Sequence, residues 1–332
     1  MARKKKSGKG YFLLGLIALF GGGGAWFKTQ IDPVEKGPKQ TFVFAKPRGL
    51  SGVLTEFQTK GIIKNACAAK VLSVMNGSRK MLNPGVYQVA PGMSAAEVLS
   101  SLSNPIKLKV MIPEAKWIAK VAKVLDDKKV LKSAEYIDLA NHSEKFSEFE
   151  IPFFNESLEG FLYPDTYNFA PNLGAEYVIK RQLMNFAKKT VGVGLTKQNM
   201  RRTIIIASLL ELEASDYKEK QMIAGVIENR LFRGMRLQID ATINYAMDEW
   251  RPLTYKDYTN VKSPYNTYLQ KGLPPGPICS PTIKSIEAAL HPIKNKFVYY
   301  ITMPDGVTRF TATYPEHLVN VKLRDTMKAQ KK

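Results

Sequence analysis

The run Thr203-Ile-Ile-Ile-Ala-Ser-Leu-Leu210 constrains this chain more than any other stretch. It is apolar around the whole circumference of a helix rather than along one stripe, so the helix it forms must be enclosed on all sides. The run ends in Glu211-Leu212-Glu213 and therefore delivers two carboxylates to the edge of a core. Two positions along a helix is a turn of about 200°, so these side chains face nearly opposite ways and cannot work as a pair. At most one enters a cleft; the other faces solvent or a basic partner. A glutamate at a helix end is usually just solvated. The greasy run before this one argues for desolvation instead, which disfavours the anion and keeps a carboxyl protonated near neutral pH, able to donate its hydrogen.

The 332 residues suffice for two modest domains and an appendage, and a 45% hydrophobic content suits a protein with a buried core. The net charge is +20. Arg3, Lys4, Lys5, Lys6 and Lys9 precede the uncharged stretch Tyr11–Phe27. A basic tail ahead of an apolar stretch that ends in Trp26-Phe27 reads as an uncleaved membrane anchor, the tail in the cytoplasm and the body beyond the membrane. The stretch is short for a span, and a signal peptide with Gly23 and Ala25 near the cleavage point is the competing reading. The remaining positive charge is scattered, which suits an anionic polymer or a lipid headgroup layer better than nucleic acid. Two distant cysteines, Cys67 and Cys279, make no disulfide framework, and three histidines without ligand spacing give no metal site; no cofactor is expected.

The expected architecture is α+β. A basic tail (1–10), the anchor (11–27) and a Pro- and charge-containing tether (28–40) lead into a small β-α-α-β-α unit (41–105). That unit has strands at 41–45 and 85–90, helices at 50–59 and 62–75, and a capping box from Ser94 to Glu97. A larger mixed unit follows (106–325), then a basic tail (326–332). Within it, helices are expected at 176–189, at 197–213 capped by Thr196, and at 217–232 capped by Ser215 or Asp216 and stopped by Gly234. Met222, Ile223, Val226, Ile227 and Leu231 form the core stripe of the last of these. Ser280-Pro281 heads a helix to Leu290. Pro304-Asp305-Gly306 joins two strands in a hairpin.

A glycosidase would need a second carboxylate across a cleft, and Asp240 and Asp165 are the candidates. Asp240 also fits as the cap of a helix over 241–247. If it caps, one glutamate remains as both acid and base, which suffices when the nucleophile comes from the substrate itself. Tyr265-Asn266-Thr267-Tyr268 brings aromatic faces, an amide and hydroxyls, the groups that line sugar sites. A rigid turn before Gly272-Leu-Pro-Pro-Gly276 explains the same residues. Glu159, Tyr163 and Asp165 carry the same ambiguity.

The ordered motifs EGFLYPDTY (159–167), IIIASLLELEA (204–214), IAGVIENRLFRGMRLQID (223–240), SPYNTYLQKGLPPGPICSP (263–281) and AALHP (288–292) resemble the YceG-like endolytic murein transglycosylases. The resemblance covers about residues 107–320, and the unit at 41–104 is similar, by position and pattern, to the LysM-like domain of that family. It implies a bacterial enzyme of the inner membrane, its catalytic domain outside the cytoplasm, that cuts nascent peptidoglycan strands. Glu213 matches the family's acid/base and Glu211 the first glutamate of its Glu-Lys-Glu signature, with Leu212 in place of the lysine. Ile239 departs from a small hydroxyl residue, and Cys279-Ser280-Pro281 from the usual Asn-Pro-Gly. The resemblance further implies that Gln238, Asp240, Tyr265, Asn266 and Thr267, with Glu159 and Asp165, orient the glycan strand, and that wall-synthesising penicillin-binding proteins are partners. A non-catalytic, membrane-tethered peptidoglycan-binding scaffold and a hydrolytic muramidase are the alternatives.

Overall fold

A computed structural model describes residues 23–44, 46–171 and 173–330. It is a mixed α and β structure whose chain divides into two compact units. Of the described residues, one unit holds those from 23 to 108 with those from 168 to 173; the other holds 109–167 with 174–330.

In the first unit, helix α1 (residues 23–31) precedes β1 (Gln40–Phe44). Strand β1 pairs antiparallel with β4 (Gly85–Val89), and the two-residue strands β2 (Arg48–Gly49) and β3 (Met81–Leu82) pair likewise. Alternation in β1 sends Phe42 and Phe44 inward beneath α2 (Leu50–Thr59), whose Val53, Leu54 and Phe57 are buried with them. Helix α3 (Ala66–Met75) starts four residues later than the expected 62. Asn65 caps it by accepting from the Ala68 amide, which leaves Ile62 and Ile63 to fill the core from a turn. The expected capping box opens α4 (Ala95–Ser103) through Ser94 and Glu97. Among the described residues no helix is long and apolar enough to cross a membrane. Residues 11–22 of the expected anchor lie outside the described residues, and 23–27 belong to α1.

The second unit is mostly helical. Short strands β5 (Leu108–Met111) and β6 (Thr166–Phe169), of which Leu108, Asn168 and Phe169 fall in the first unit, form a two-stranded sheet. Between them lie α5 (Ile118–Asp127), α6 (Ser133–Ala140) and a 3-10 turn at Ser143–Phe149. Helix α7 is Gly174–Thr190. Helix α8 (Met200–Glu213) is the one the apolar run demands: every residue from Thr203 to Glu211 is buried. It begins at Met200 rather than 197, because Thr196 and Asn199 bond each other's amides in a turn that ends just before it. Asp216 caps α9 (Tyr217–Phe232) by accepting from the Glu219 amide, and Gly234 follows the helix with φ +63. Its buried face is Lys220, Ile223, Ala224, Val226, Ile227 and Arg230, while Met222 and Leu231 are only partly covered.

Helices α10 (Asp240–Ala246) and α11 (Tyr255–Asn260) precede the Pro/Gly-rich loop. Helix α12 (Ile283–Leu290) packs on α8 and α9. Thr282, not the expected Ser280-Pro281, occupies its N-cap position without a side-chain cap bond; the Ser280 hydroxyl instead accepts from the Leu162 amide. Strands β7 (Tyr299–Thr302) and β8 (Thr308–Thr311) form the expected hairpin, and α13 (Tyr314–Gln330) follows. The chain after α12 crosses α9 at Gly225, where an added Cβ would overlap the Ile293 carbonyl oxygen and the Asn295 amide. In an open helix Gly→Ala stabilises by up to about 1 kcal/mol. Here Gly225→Ala is expected to destabilise by roughly 2 kcal/mol, read as a lower urea midpoint at unchanged slope.

Candidate active site

Glu213 is the last residue of α8. Ala214 is extended (φ −148, ψ 155) and leads the chain away toward the Asp216 cap, so the Glu213 side chain sits at a corner between two helices. It is half-buried, and its Oε2 accepts from the Tyr300 hydroxyl at 2.9 Å. Burial pushes its pKa from 4.5 up to about 7; the nearby Asp240 anion adds to the rise, while the Tyr300 hydrogen bond and the Arg230 charge oppose it. The carboxyl is thus divided between acid and base forms near neutral pH.

Arg230 ties together the pieces around Glu213. From α9 it donates through Nε to the Val298 carbonyl at 2.6 Å and through Nη1 to the Leu237 carbonyl, and its guanidinium lies 5.5 Å from the Tyr299 ring centroid. One planar cation therefore fixes both the entry to β7, which carries Tyr300, and the segment leading to Asp240. Gln238, in that segment, is exposed and adopts the left-handed region at φ +51. Its amide donates to the Thr267 carbonyl at 3.1 Å, and the Ile239 amide donates to Thr267 Oγ1 at 2.9 Å.

Asp240 is exposed and does not cap α10; Ile239 occupies that position. Its Oδ1 accepts from the Tyr268 hydroxyl at 2.6 Å, and the Tyr258 ring lies 4.5 Å from that of Tyr268. The cap reading is thereby corrected: the carboxylate points to an aromatic pair rather than to its own helix.

The other expected strand-orienting residues divide. Asn266 and Thr267 are buried, and their side chains are engaged within the protein. Asn266 Nδ2 donates to the Tyr258 and Val261 carbonyls at 3.2 and 2.9 Å, and its Oδ1 accepts from the Tyr268 amide. Thr267 Oγ1 meets Thr242 Oγ1 at 3.0 Å. These two residues shape the loop that presents Tyr268. Tyr265 is half-buried, its ring 4.8 Å from that of Tyr245. Asp165 accepts from the Asn185 amide at 3.0 Å and the Thr166 amide at 2.7 Å, with Lys189 at 3.8 Å; the Asn185 bond above all holds its carboxyl below the usual range.

Glu159 is buried, and its Oε2 accepts from the Ile118 amide at 2.9 Å, at the first turn of α5. Desolvation pushes its pKa from 4.5 up to about 8. Because the folded-state value is raised, the stability is fully present below pH 4.5 and declines as pH rises toward 8. Glu159→Gln is expected to flatten that decline, which amounts to at most about 1.4 kcal/mol per pH unit. Urea unfolding at pH 5 and pH 8 checks it: a difference between the two pH values that is the same in variant and parent excludes Glu159 as its source.

Glu211 faces the other way from Glu213, as the helical geometry requires. Its Oε2 accepts from Lys220 Nζ at 3.3 Å and from the Thr282 amide and hydroxyl, both at 2.9 Å, with Ser285 Oγ also bonded. Lys220 Nζ donates to Ser285 Oγ at 2.6 Å. The ion pair is almost wholly enclosed, with side-chain exposures of 4% for Lys220 and 2% for Glu211. It locks α8, α9 and the start of α12 together one turn or less from Glu213. Sequence reasoning allowed Glu211 a basic partner but missed Lys220, Ser285, Thr282, Arg230 and Tyr300. Among the described residues no cluster of three or more His, Cys, Asp or Glu side chains has the arrangement to hold a metal, and Cys67 and Cys279 are both free.

Residues 43–323 match the profile described as the YceG-like family. The chain belongs to the YceG-like family. An endolytic murein transglycosylase of Bacillus subtilis is 29% identical over 322 residues, spanning 90% of this chain and 89% of the relative. One of Streptococcus pneumoniae serotype 2 is 25% identical over 351 residues; the aligned region covers 93% of this chain but 64% of that longer relative. The crystal structure of a yceG-like protein from Listeria monocytogenes is similar over 85% of this chain and 99% of that one, with 30% identity and a TM-score of 0.57. The family match and that structural likeness agree with the mixed α and β architecture.

Proposed function

We propose that this YceG-like protein is an endolytic murein transglycosylase that cuts the β-1,4 bond between N-acetylmuramic acid and N-acetylglucosamine, using Glu213 as its one acid/base. The relatives named for this activity support the lytic transglycosylase class and peptidoglycan as substrate. The observation that carries the mechanism is the Glu213 carboxyl, half-buried at the corner between α8 and α9 with its Oε2 bonded to the Tyr300 hydroxyl, where burial pushes its pKa up to about 7. In the proposed step the neutral carboxyl gives its hydrogen to the glycosidic oxygen as the C1–O bond breaks. The resulting carboxylate takes the hydrogen of the C6 hydroxyl of the same muramic residue as that oxygen closes on C1. Acid and base alternate on one side chain, no water enters the product, and the glutamic acid is regenerated.

Asp240, exposed beside the Tyr258–Tyr268 pair, is the available anion for the positive charge that builds at C1. Gln238 and Tyr265 are proposed to line the strand with it. Asn266, Thr267, Glu159 and Asp165 act by holding the loops and helix ends that frame the site. The unit at 41–105 is proposed as a LysM-like glycan holder. Residues 11–27, behind the basic tail, are proposed to anchor the chain in the cytoplasmic membrane with its body outside the cytoplasm, beside penicillin-binding proteins that make the strands.

The test is product analysis of purified peptidoglycan digested by the full chain. Muropeptides ending in 1,6-anhydro-muramic acid, 18 mass units lighter than reducing ends, are the expected result. Reducing ends would identify a muramidase, and no cleavage a scaffold.

A further inference from the structure

The site contains one side chain that touches the proposed acid and has no role in the reaction as written above. Tyr300 lies on β7, where its backbone is paired with Phe310 of β8, and the neighbouring Val298 carbonyl is held by Arg230. Its ring packs on the core that surrounds α8, beside Phe310 at 6.3 Å between centroids. The hydroxyl is thus delivered to Glu213 Oε2 by a braced strand rather than by a loop. We infer that Tyr300 is a positioning residue for the single acid/base, assigning Glu213 Oε2 to hydrogen-bond acceptance and Oε1 to the proton that is transferred. This rests on the reading of Glu213 as the acid.

The argument follows from the inventory of one carboxyl group. In a neutral carboxyl the carbonyl oxygen is the stronger acceptor, so an oxygen already taking a phenol hydrogen is the carbonyl, and the acidic hydrogen belongs to the other. With no second carboxylate assigned as base, the same oxygen must both release a hydrogen and take one back. A carboxyl free to rotate would offer the wrong oxygen half the time. The Tyr300 bond also strengthens when Glu213 becomes an anion, since a charged acceptor binds a hydroxyl more tightly than a neutral one. It therefore favours the carboxylate that waits for the C6 hydroxyl hydrogen and holds down the pKa that burial raises.

Tyr300→Phe removes one oxygen and keeps the ring in the core. The expected result is a kcat about tenfold lower with KM within twofold, because strand binding does not involve the phenol. The acid must be protonated to act, so activity falls as pH rises through the Glu213 pKa. Losing a bond that favours the anion raises that pKa, so the falling limb should move up by about one pH unit. A merely structural loss would lower the rate without moving the limb upward. Two outcomes overturn the inference while leaving the acid in place: an unmoved or downward-shifted limb, or a change confined to KM, with Glu213→Gln inactive in the same assay. If Glu213→Gln retains the parent rate, the assignment of the acid fails first and the inference falls with it.

Discussion

Glu213→Gln is expected to lower the rate of anhydro-muropeptide release by on the order of 10³-fold, measured by liquid chromatography of digested peptidoglycan. Glutamine keeps the shape and the contact with Tyr300, but carries no hydrogen it can transfer. The fold should be unharmed. A carboxyl raised to about 7 in the native state contributes stability that is complete below pH 4.5 and is lost as pH climbs through 7. The variant should therefore melt at or slightly above the parent temperature at pH 8. A variant that is inactive because it is unfolded would show the opposite, and a variant with normal turnover would remove Glu213 from the chemistry.

Lys220→Met is expected to cost about 3–5 kcal/mol, the largest stability effect of any single change considered for this chain. The methionine leaves the Glu211 carboxylate enclosed with only the Thr282 and Ser285 donors and no cation. Glu211→Gln combined with Lys220→Met removes both charges and should recover much of that loss, because a neutral pair of similar volume avoids desolvating two ions. Chemical denaturation of the four proteins gives the coupling directly. If the double variant is as unstable as the single, the uncompensated charge is not the cause. Because the pair joins α8, α9 and α12 beside the site, Lys220→Met should also slow the reaction at temperatures where it remains folded.

Most of what defines the second unit is legible in its amino-acid sequence. The all-apolar run in 203–210 could only be an enclosed helix, and the 200° offset between Glu211 and Glu213 placed one carboxylate inside a network and the other, half-buried, at the corner between α8 and α9. Turn chemistry located the hairpin at 304–306 and the end of α9 at Gly234. The missed residues share a physical cause. Lys220 and Arg230 occupy the buried face of α9 at helical spacing from Ile223 and Ile227, and a cation on an apolar stripe signals a buried acceptor. Counting only the apolar positions hid it. Tyr300 reads as an ordinary strand residue, since which residue lies opposite a helix end is set by packing and not by local pattern. Asn266, Thr267 and Asp240 illustrate the converse. Polar side chains in a dense loop suit ligands and turns equally, and only their partners separate the two: inward for the first pair, outward for Asp240.

A half-buried Glu213 carboxyl, divided between its two protonation forms near neutral pH, changes what an inhibitor of the proposed reaction should look like. Iminosugars and other amines that imitate the oxocarbenium ion form an ion pair only with the ionised form, so their affinity for this protein should climb as the medium becomes more alkaline, up to about pH 7. Uncharged lactams with a carbonyl at the scissile position would meet the acid directly and follow the reverse trend. Drug discovery aimed at this protein would then favour uncharged scaffolds over the cationic ones suited to carboxylate-nucleophile glycosidases.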